Sequence, residues 1–306
     1  MIQPSGRAVA IRAGGTSALV GTVAAVLRSL EVDGVALTEP LPDGEAPRFA
    51  SGIVLSPWPN RVRDGRWTLD GAQQQLAITE PARGNAIHGL LRYADYEIRA
   101  RSDEAVLLGA IIPPQAGWPA LLDTTVEYRA VPGGLDVRHA ATNFGRVATP
   151  VAVGAHPFLR LGEAPVEDLV VTVHAEGYLE SDERMLPVAE RDVAGTAFDL
   201  RGGVRVGELV GRLDTAFSRV RHGDDGEVAR LEDPASGRRL SLRQDADWRY
   251  LQVFAPAAFP RAGGRERPAL AIEPMTAPPD ALRSGEGLVR LEPGASWSGG
   301  WSLRLS

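Results

Sequence analysis

The sequence contains no cysteine, which excludes disulfides, thiolate catalysis and Cys-based zinc sites and fits a cytoplasmic protein. Lysine is missing too, so all 33 basic residues are arginine. Arginine is the better clamp for carboxylates and phosphates, but an all-arginine composition reads first as coding bias. Against those 33 stand 39 acidic residues, for a net charge of -6. That balance argues against a general nucleic-acid or anionic-membrane binder. No HExxH motif, GxSxG elbow, P-loop or dinucleotide fingerprint is present. No apolar run is long enough to span a bilayer. Arg7 and Arg12 precede an apolar segment, Ala18–Leu27, that loosely imitates a leader. Arg28 follows it without a small-residue cleavage site, so the segment reads as the first strands of the fold.

The chain is rich instead in turn formers, with 34 glycines and 23 prolines among 306 residues, and 44% of it is hydrophobic, ample for a core. Short β-patterned runs lie between these turn formers. Tyr96–Arg101 with Ala105–Ile112, and Thr124–Val131 with Leu135–Thr142, read as hairpins, and Asp70-Gly71 carries another hairpin signal. Amphipathic helices of ten or more residues are missing. Val204–Leu213 offers a helical turn or two, and Pro279–Arg283 one. The expectation is an all-β sandwich, built as one domain over residues 1–306 with no repeat or linker to divide it.

The polar residues that stand out lie at strand ends and in rigid loops. Ala269–Ile272 reads as a buried strand that ends on Glu273, with Pro274 stopping the ladder. A carboxylate there either turns to solvent or stays inside, where it needs partners or a raised pKa that suits a general base. Ser56–Gly65, SPWPNRVRDG, reads as a rigid loop presenting Asn60 and Arg61 beside the aromatic face of Trp58. It suits a hydroxyl-rich ligand, or its charges simply pair on the surface. Of five histidines, His88 before Gly89 and His156 before Pro157 have held geometry, which puts function and packing on even terms. His139, His174 and His222 read as packed or exposed. Asp214 is a lone acid between apolar neighbours, a site residue or a turn former.

Five segments in order, NRVRDG, AIHGL, GAHPFLRL, LDTAF and AIEPMTAPPD, flanked by RWTLDG and LEPGASW, resemble the aldose 1-epimerase (galactose mutarotase) family. The spellings SPWPNRV, TEPARGNAIHGL and EPMTAPPDAL are closer to a bacterial branch of open sugar preference. The resemblance implies a β-supersandwich of antiparallel sheets with few short helices and an open sugar cleft. It implies an isomerase that needs no cofactor and no metal. Glu273 matches the general base, ionised at working pH, and His156 the general acid; His88, Asp214 and Arg61 match sugar-orienting positions. Asn60 and Trp58 are added from the loop reading as cleft residues. The expected partner is a small sugar, with no nucleic acid or membrane, and the expected assembly is a monomer or homodimer. Two other readings stay open. One is a hexose-6-phosphate or sulfonated-sugar epimerase, which would need rim arginines such as Arg63, Arg66, Arg83 and Arg92. The other is a non-catalytic carbohydrate-binding module on the same fold. A lyase or hydrolase ranks last, because only Asp214 could accompany Glu273 as a second carboxylate.

Overall fold

The computed structural model describes residues 3–261 and 265–306. Antiparallel strands dominate. A nine-stranded sheet runs in the order Glu97–Arg101, Ala105–Ile112, Leu122–Val131, Gly134–Asn143, Ser296–Leu305, Arg239–Gln244, Glu227–Glu232, Val170–Val173, Val204–Arg205. An eight-stranded sheet has as its main path Pro187–Asp192, Ala175–Ser181, Asp214–Val220, Tyr250–Phe254, Leu270–Met275, Gly154–Ala155, Val54–Leu55, with Phe158–Leu159 also pairing Leu270–Met275. A four-stranded sheet from Ala8 to Ala36 contains the apolar segment near the N-terminus. This is the all-β architecture expected from the punctuation of the sequence, and it agrees with the antiparallel supersandwich that the family resemblance implies. Among the described residues the two α-helices are single turns, Val206–Leu209 inside the expected segment Val204–Leu213 and Ala281–Ser284 overlapping the expected Pro279–Arg283 and ending one residue past it. No described helix is long and apolar enough to cross a membrane.

Period-2 patterning explains the strands. In Leu122–Val131, Leu122, Thr124, Val126, Tyr128 and Ala130 are buried, while Asp123, Glu127 and Arg129 lie on the other face. Each fully buried Val- or Leu-sized side chain stabilises the fold by roughly 1.5–3 kcal/mol. Trp118 packs between Trp58 and Trp67, with ring centroids 6.1 and 5.4 Å away, and the Tyr128 hydroxyl donates to the Ala25 carbonyl at 2.7 Å.

The structure differs from the sequence reading in three places. Leu270–Met275 continues through Pro274, which sits opposite Leu251, so Glu273 lies inside a strand opposite Gln252. The polar loop contains a strand, Arg61–Arg63, paired with Asn85–Ile87. Strands Ala175–Ser181, Pro187–Asp192 and Asp214–Val220 give no clear local signal: Pro187–Asp192 buries none of its residues, Asp214–Val220 buries the four consecutive residues 215–218, and Ala175–Ser181 has Gly177 at a buried position.

Gly89 shows how tightly one site-bearing segment is packed. Its φ is +77°, and a Cβ there would lie 2.0 Å from the Ser56 carbonyl oxygen, which already accepts from the Leu90 N–H at 2.9 Å. Gly195 has the similar φ of +75° but open space around it. The left-handed backbone alone costs an L-residue roughly 1–2 kcal/mol. Gly195→Ala is therefore expected to lose about that much, and Gly89→Ala distinctly more, in urea unfolding midpoints. Equal losses would contradict the packing argument.

Candidate active site

Three adjacent strands bring four side chains to one face of the eight-stranded sheet. Asp214 lies opposite Phe254, Gln252 lies opposite Glu273, and Gln252 and Phe254 are two residues apart. Against this face stand the Asn60–Arg61 segment, His88 and His156. Together they line a cavity of about 450 Å³ that also includes Glu80, Arg83, Arg92 and Phe49. That volume suits a small polar molecule.

The central contact is His156 Nε2 to Glu273 Oε1, 3.2 Å, with both side chains nearly closed off from solvent. Glu273 Oε2 and His156 Nδ1 are buried and lack a hydrogen-bond partner among the described residues. Burial pushes the Glu273 carboxyl well above its ordinary range, and the negative charge of Asp214 adds to that, while Arg61 opposes it. Burial lowers His156 to about 4, assisted by Arg61 and Arg92 and opposed by its own backbone hydrogen bond. Although the distance fits an ion pair, desolvation penalises both charges and favours the proton on the carboxyl in the empty site. Burial thus bears against the expectation that Glu273 is ionised at working pH.

The other groups hold one another. His88 has φ +64°, donates its N–H to the Asn60 carbonyl at 2.9 Å, and sets its ring edge-on to His156 with centroids 5.5 Å apart. Burial, then the neighbouring His156, Arg92 and Arg61, keep its pKa far below normal. Glu80 takes the Arg61 guanidinium at two points, Nε to Oε2 at 2.9 Å and Nη2 to Oε1 at 3.0 Å. Asn60 Oδ1 accepts from the Arg61 N–H at 2.9 Å, and Asn60 Nδ2 donates to Gln252 Oε1 at 3.3 Å. Gln252 Nε2 in turn donates to Asp214 Oδ1 at 2.5 Å. Burial raises the Asp214 carboxyl, with Arg61 and Gln252 opposing.

Of the residues singled out from sequence, Glu273, His156, His88, Asp214, Arg61 and Asn60 all line this cavity. Trp58 does not. It is 2% exposed and packs in the core against Trp118, because an indole against a second tryptophan gains more from burial than from facing a wet cleft. His139 is buried, takes the Trp301 indole N–H at 3.2 Å, and is lowered by burial to about 3. Among the lining residues that escaped the sequence reading are Gln252, Glu80, Phe49 and Phe254. Gln252 carried a usable signal, a polar residue inside the apolar run Tyr250–Phe254. A second depression of about 470 Å³ lies against Arg129, Asp136 and Arg243 on the nine-stranded sheet. Ion pairs such as Arg243–Asp225 (2.6 Å) and Arg304–Asp136 neutralise its charges, and no histidine lines it.

A buried carboxyl–imidazole pair thus faces a polar cavity on an antiparallel β fold, and the class of protein is that of the sugar epimerases. The chain belongs to the aldose 1-epimerase family: the family model described as Aldose 1-epimerase matches residues 7–304. It is 32% identical over 291 residues to an uncharacterized protein, YihR, of Escherichia coli strain K12, covering 95% of this chain and 90% of that one. It is 32% identical over 204 residues to human galactose mutarotase, covering 62% of this chain and 58% of the relative. Among solved structures, the aldose epimerase homologue from C. elegans superposes with a TM-score of 0.83 at 20% identity, covering 98% and 99% of the two chains. Galactose 1-epimerase from Lactobacillus acidophilus gives 0.79 at 22%, covering 96% and 92%.

The raised carboxyl makes a stability prediction. Between its ordinary 4.5 and its folded value, the folded state keeps a proton that the unfolded chain has released. Folding stability from this group is thus present below 4.5 and is lost as pH rises towards the folded value. Glu273→Gln has no such dependence, so its melting temperature relative to wild type should climb as pH rises above 4.5. A flat or falling difference in thermal scans would contradict the burial argument.

Proposed function

We propose that the protein interconverts the α and β anomers of a free hexose, as a single domain, with Glu273 as base and His156 as acid. The observation that carries this reading is the 3.2 Å contact between two buried titratable groups facing one cavity. In the empty site the pair holds one proton, placed on the carboxyl by desolvation. Moving that proton across the contact gives a carboxylate and an imidazolium. A hydroxyl-rich ring entering the cavity supplies dipoles that favour this charged form.

Glu273 then takes the proton of the C1 hydroxyl while His156 protonates the ring oxygen. The C1–O5 bond breaks, and C1 becomes an aldehyde carbon. After rotation about C1–C2 the ring oxygen attacks the other face, its proton returns to His156, and Glu273 returns a proton to O1. Atoms and protons balance, and the protein ends as it began. Each positioned acid or base contributes about 10²–10⁴-fold, so two supply ~10⁴–10⁸, or about 5–11 kcal/mol of barrier. Arg61, held by Glu80, and Asp214, held by Gln252, orient the sugar hydroxyls with His88 and Asn60, and would reject analogues lacking a hydroxyl.

An anionic sugar would call for converging arginines. Of the four available, Arg63 pairs with Asp182 at 3.3 Å and Arg66 reaches Gln75, and neither lines the cavity. Arg83 lines it but pairs with Glu80 at 3.2 Å. Arg92 alone lines it without a carboxylate partner among the described residues. That arrangement supports a neutral sugar over a phosphorylated or sulfonated one.

Freshly dissolved single-anomer sugars, sugar phosphates and sugar sulfonates, followed by NMR with and without protein, test the reading. Accelerated equilibration of a free hexose is expected, and no acceleration of any sugar would overturn it. Glu273→Gln and His156→Ala should each lose about 10²–10⁴-fold in rate, whereas the exposed His222→Ala should stay within about twofold. The pH profile of kcat/KM should be bell-shaped. Its acid limb should lie near about 4, where His156 in the free protein takes a second proton, and its alkaline limb at the raised carboxyl value. Removing the negative charge that raises Glu273, with Asp214→Asn, should move the alkaline limb to lower pH. A stationary limb would show that Asp214 does not act on Glu273.

A further inference from the structure

One cavity-lining residue plays no part in that mechanism and is costly to place where it is. Phe49 adopts φ +52°, ψ 29°, and Ala50 follows at φ +58°. A bulky residue in the left-handed region is a genuine outlier, and glycine or asparagine would serve the turn better. Phe49 is also 47% exposed, whereas its aromatic neighbour Phe259 is 5% exposed and its other neighbour, Phe254, is partly buried. Neither backbone preference nor core burial accounts for a phenylalanine at this position.

Its surroundings supply a reason. Phe49, Pro47, Ala50 and Phe254 all line the cavity that holds Glu273 and His156. The Phe49 ring lies 6.0 Å from both Phe254 and Phe259. Phe259 packs on Phe158 at 4.5 Å, and Phe158 stacks on the His156 imidazole at 5.4 Å and 23°. The backbone after the turn is tied to the same histidine: the Gly52 N–H donates to the His156 carbonyl at 2.8 Å, and the His156 N–H donates to the Ile53 carbonyl at 3.1 Å. The exposed ring is therefore fixed relative to the imidazole through both side chains and main chain.

We propose that Phe49 is a substrate-binding residue whose ring, with Phe254, forms an apolar platform for the C–H face of a pyranose ring. This rests on the sugar reading above. The hydroxyls of a pyranose point outward around its rim and meet the polar wall of Arg61, Asp214 and His88. Its C–H face has no polar group to offer that wall and packs on an aromatic surface instead.

The test compares wild type with Phe49→Asn, which removes the ring but accepts the left-handed backbone, and Phe49→Tyr, which keeps the ring. For a hexose that wild type interconverts, Phe49→Asn should raise KM about fivefold or more with kcat within about twofold, and its melting temperature should not fall. Phe49→Tyr should restore the wild-type KM. A KM in Phe49→Asn within about twofold of wild type would overturn the proposal, with or without a fall in melting temperature. Saturation transfer from the protein's aromatic protons to the sugar C–H protons gives a readout independent of turnover. It should weaken selectively in Phe49→Asn, and unchanged transfer would overturn the platform. If wild type binds the hexose but leaves its anomers at the uncatalysed rate, the epimerase reading fails while the transfer experiment still decides the fate of Phe49.

Discussion

The account depends on one buried contact, His156 Nε2 to Glu273 Oε1. In water such a pair would sit as carboxylate and imidazolium with little consequence. Inside the fold, desolvation opposes both charges, and the shared proton lies on the carboxyl until something polar enters. Burial thus favours a neutral pair in the empty site, and in the proposed reaction the charged pair forms only when a sugar occupies it. Asp214 and Arg61 bear on this balance with opposite signs, because one negative and one positive charge flank Glu273. The groups proposed to orient the sugar are therefore also groups whose charges bear on Glu273.

Sheet geometry is what makes the contact possible. Three strands carry Asp214, Gln252 and Glu273 in register, so their side chains share one face without any loop having to place them. A carboxylate on a strand deep in a sheet has its position set by backbone pairing. The loop side is held by other means: the two-point Arg61–Glu80 pair, the left-handed His88 and the close approach of Gly89 to Ser56. Rigid geometry on both sides of the cavity is the condition for acid and base to meet a small ring in reach of both.

The all-β character was legible from short alternating runs and turn residues, because those signals are local. The hairpin Leu122–Asn143 shows it well, with its buried and exposed residues alternating as the pattern required. Strands such as Pro187–Asp192, which buries none of its residues, left little local trace. Six of the seven site candidates converge on one cavity because each was a polar residue in a rigid or apolar setting. Trp58 was misplaced because an aromatic between prolines reads the same whether it faces a ligand or a neighbouring indole. Phe49 could not have been found at all. Its meaning lies in a positive φ and in half-exposure, and neither is written in the local sequence.

The most direct measurement is the protonation state of Glu273 in the empty protein, read by infrared difference spectroscopy of wild type against Glu273→Gln near neutral pH. The account predicts a protonated carboxyl carbonyl band that the variant lacks, and that diminishes when a hexose fills the site. A wild-type spectrum without that band, with Glu273 titrating near its ordinary 4.5, would contradict it.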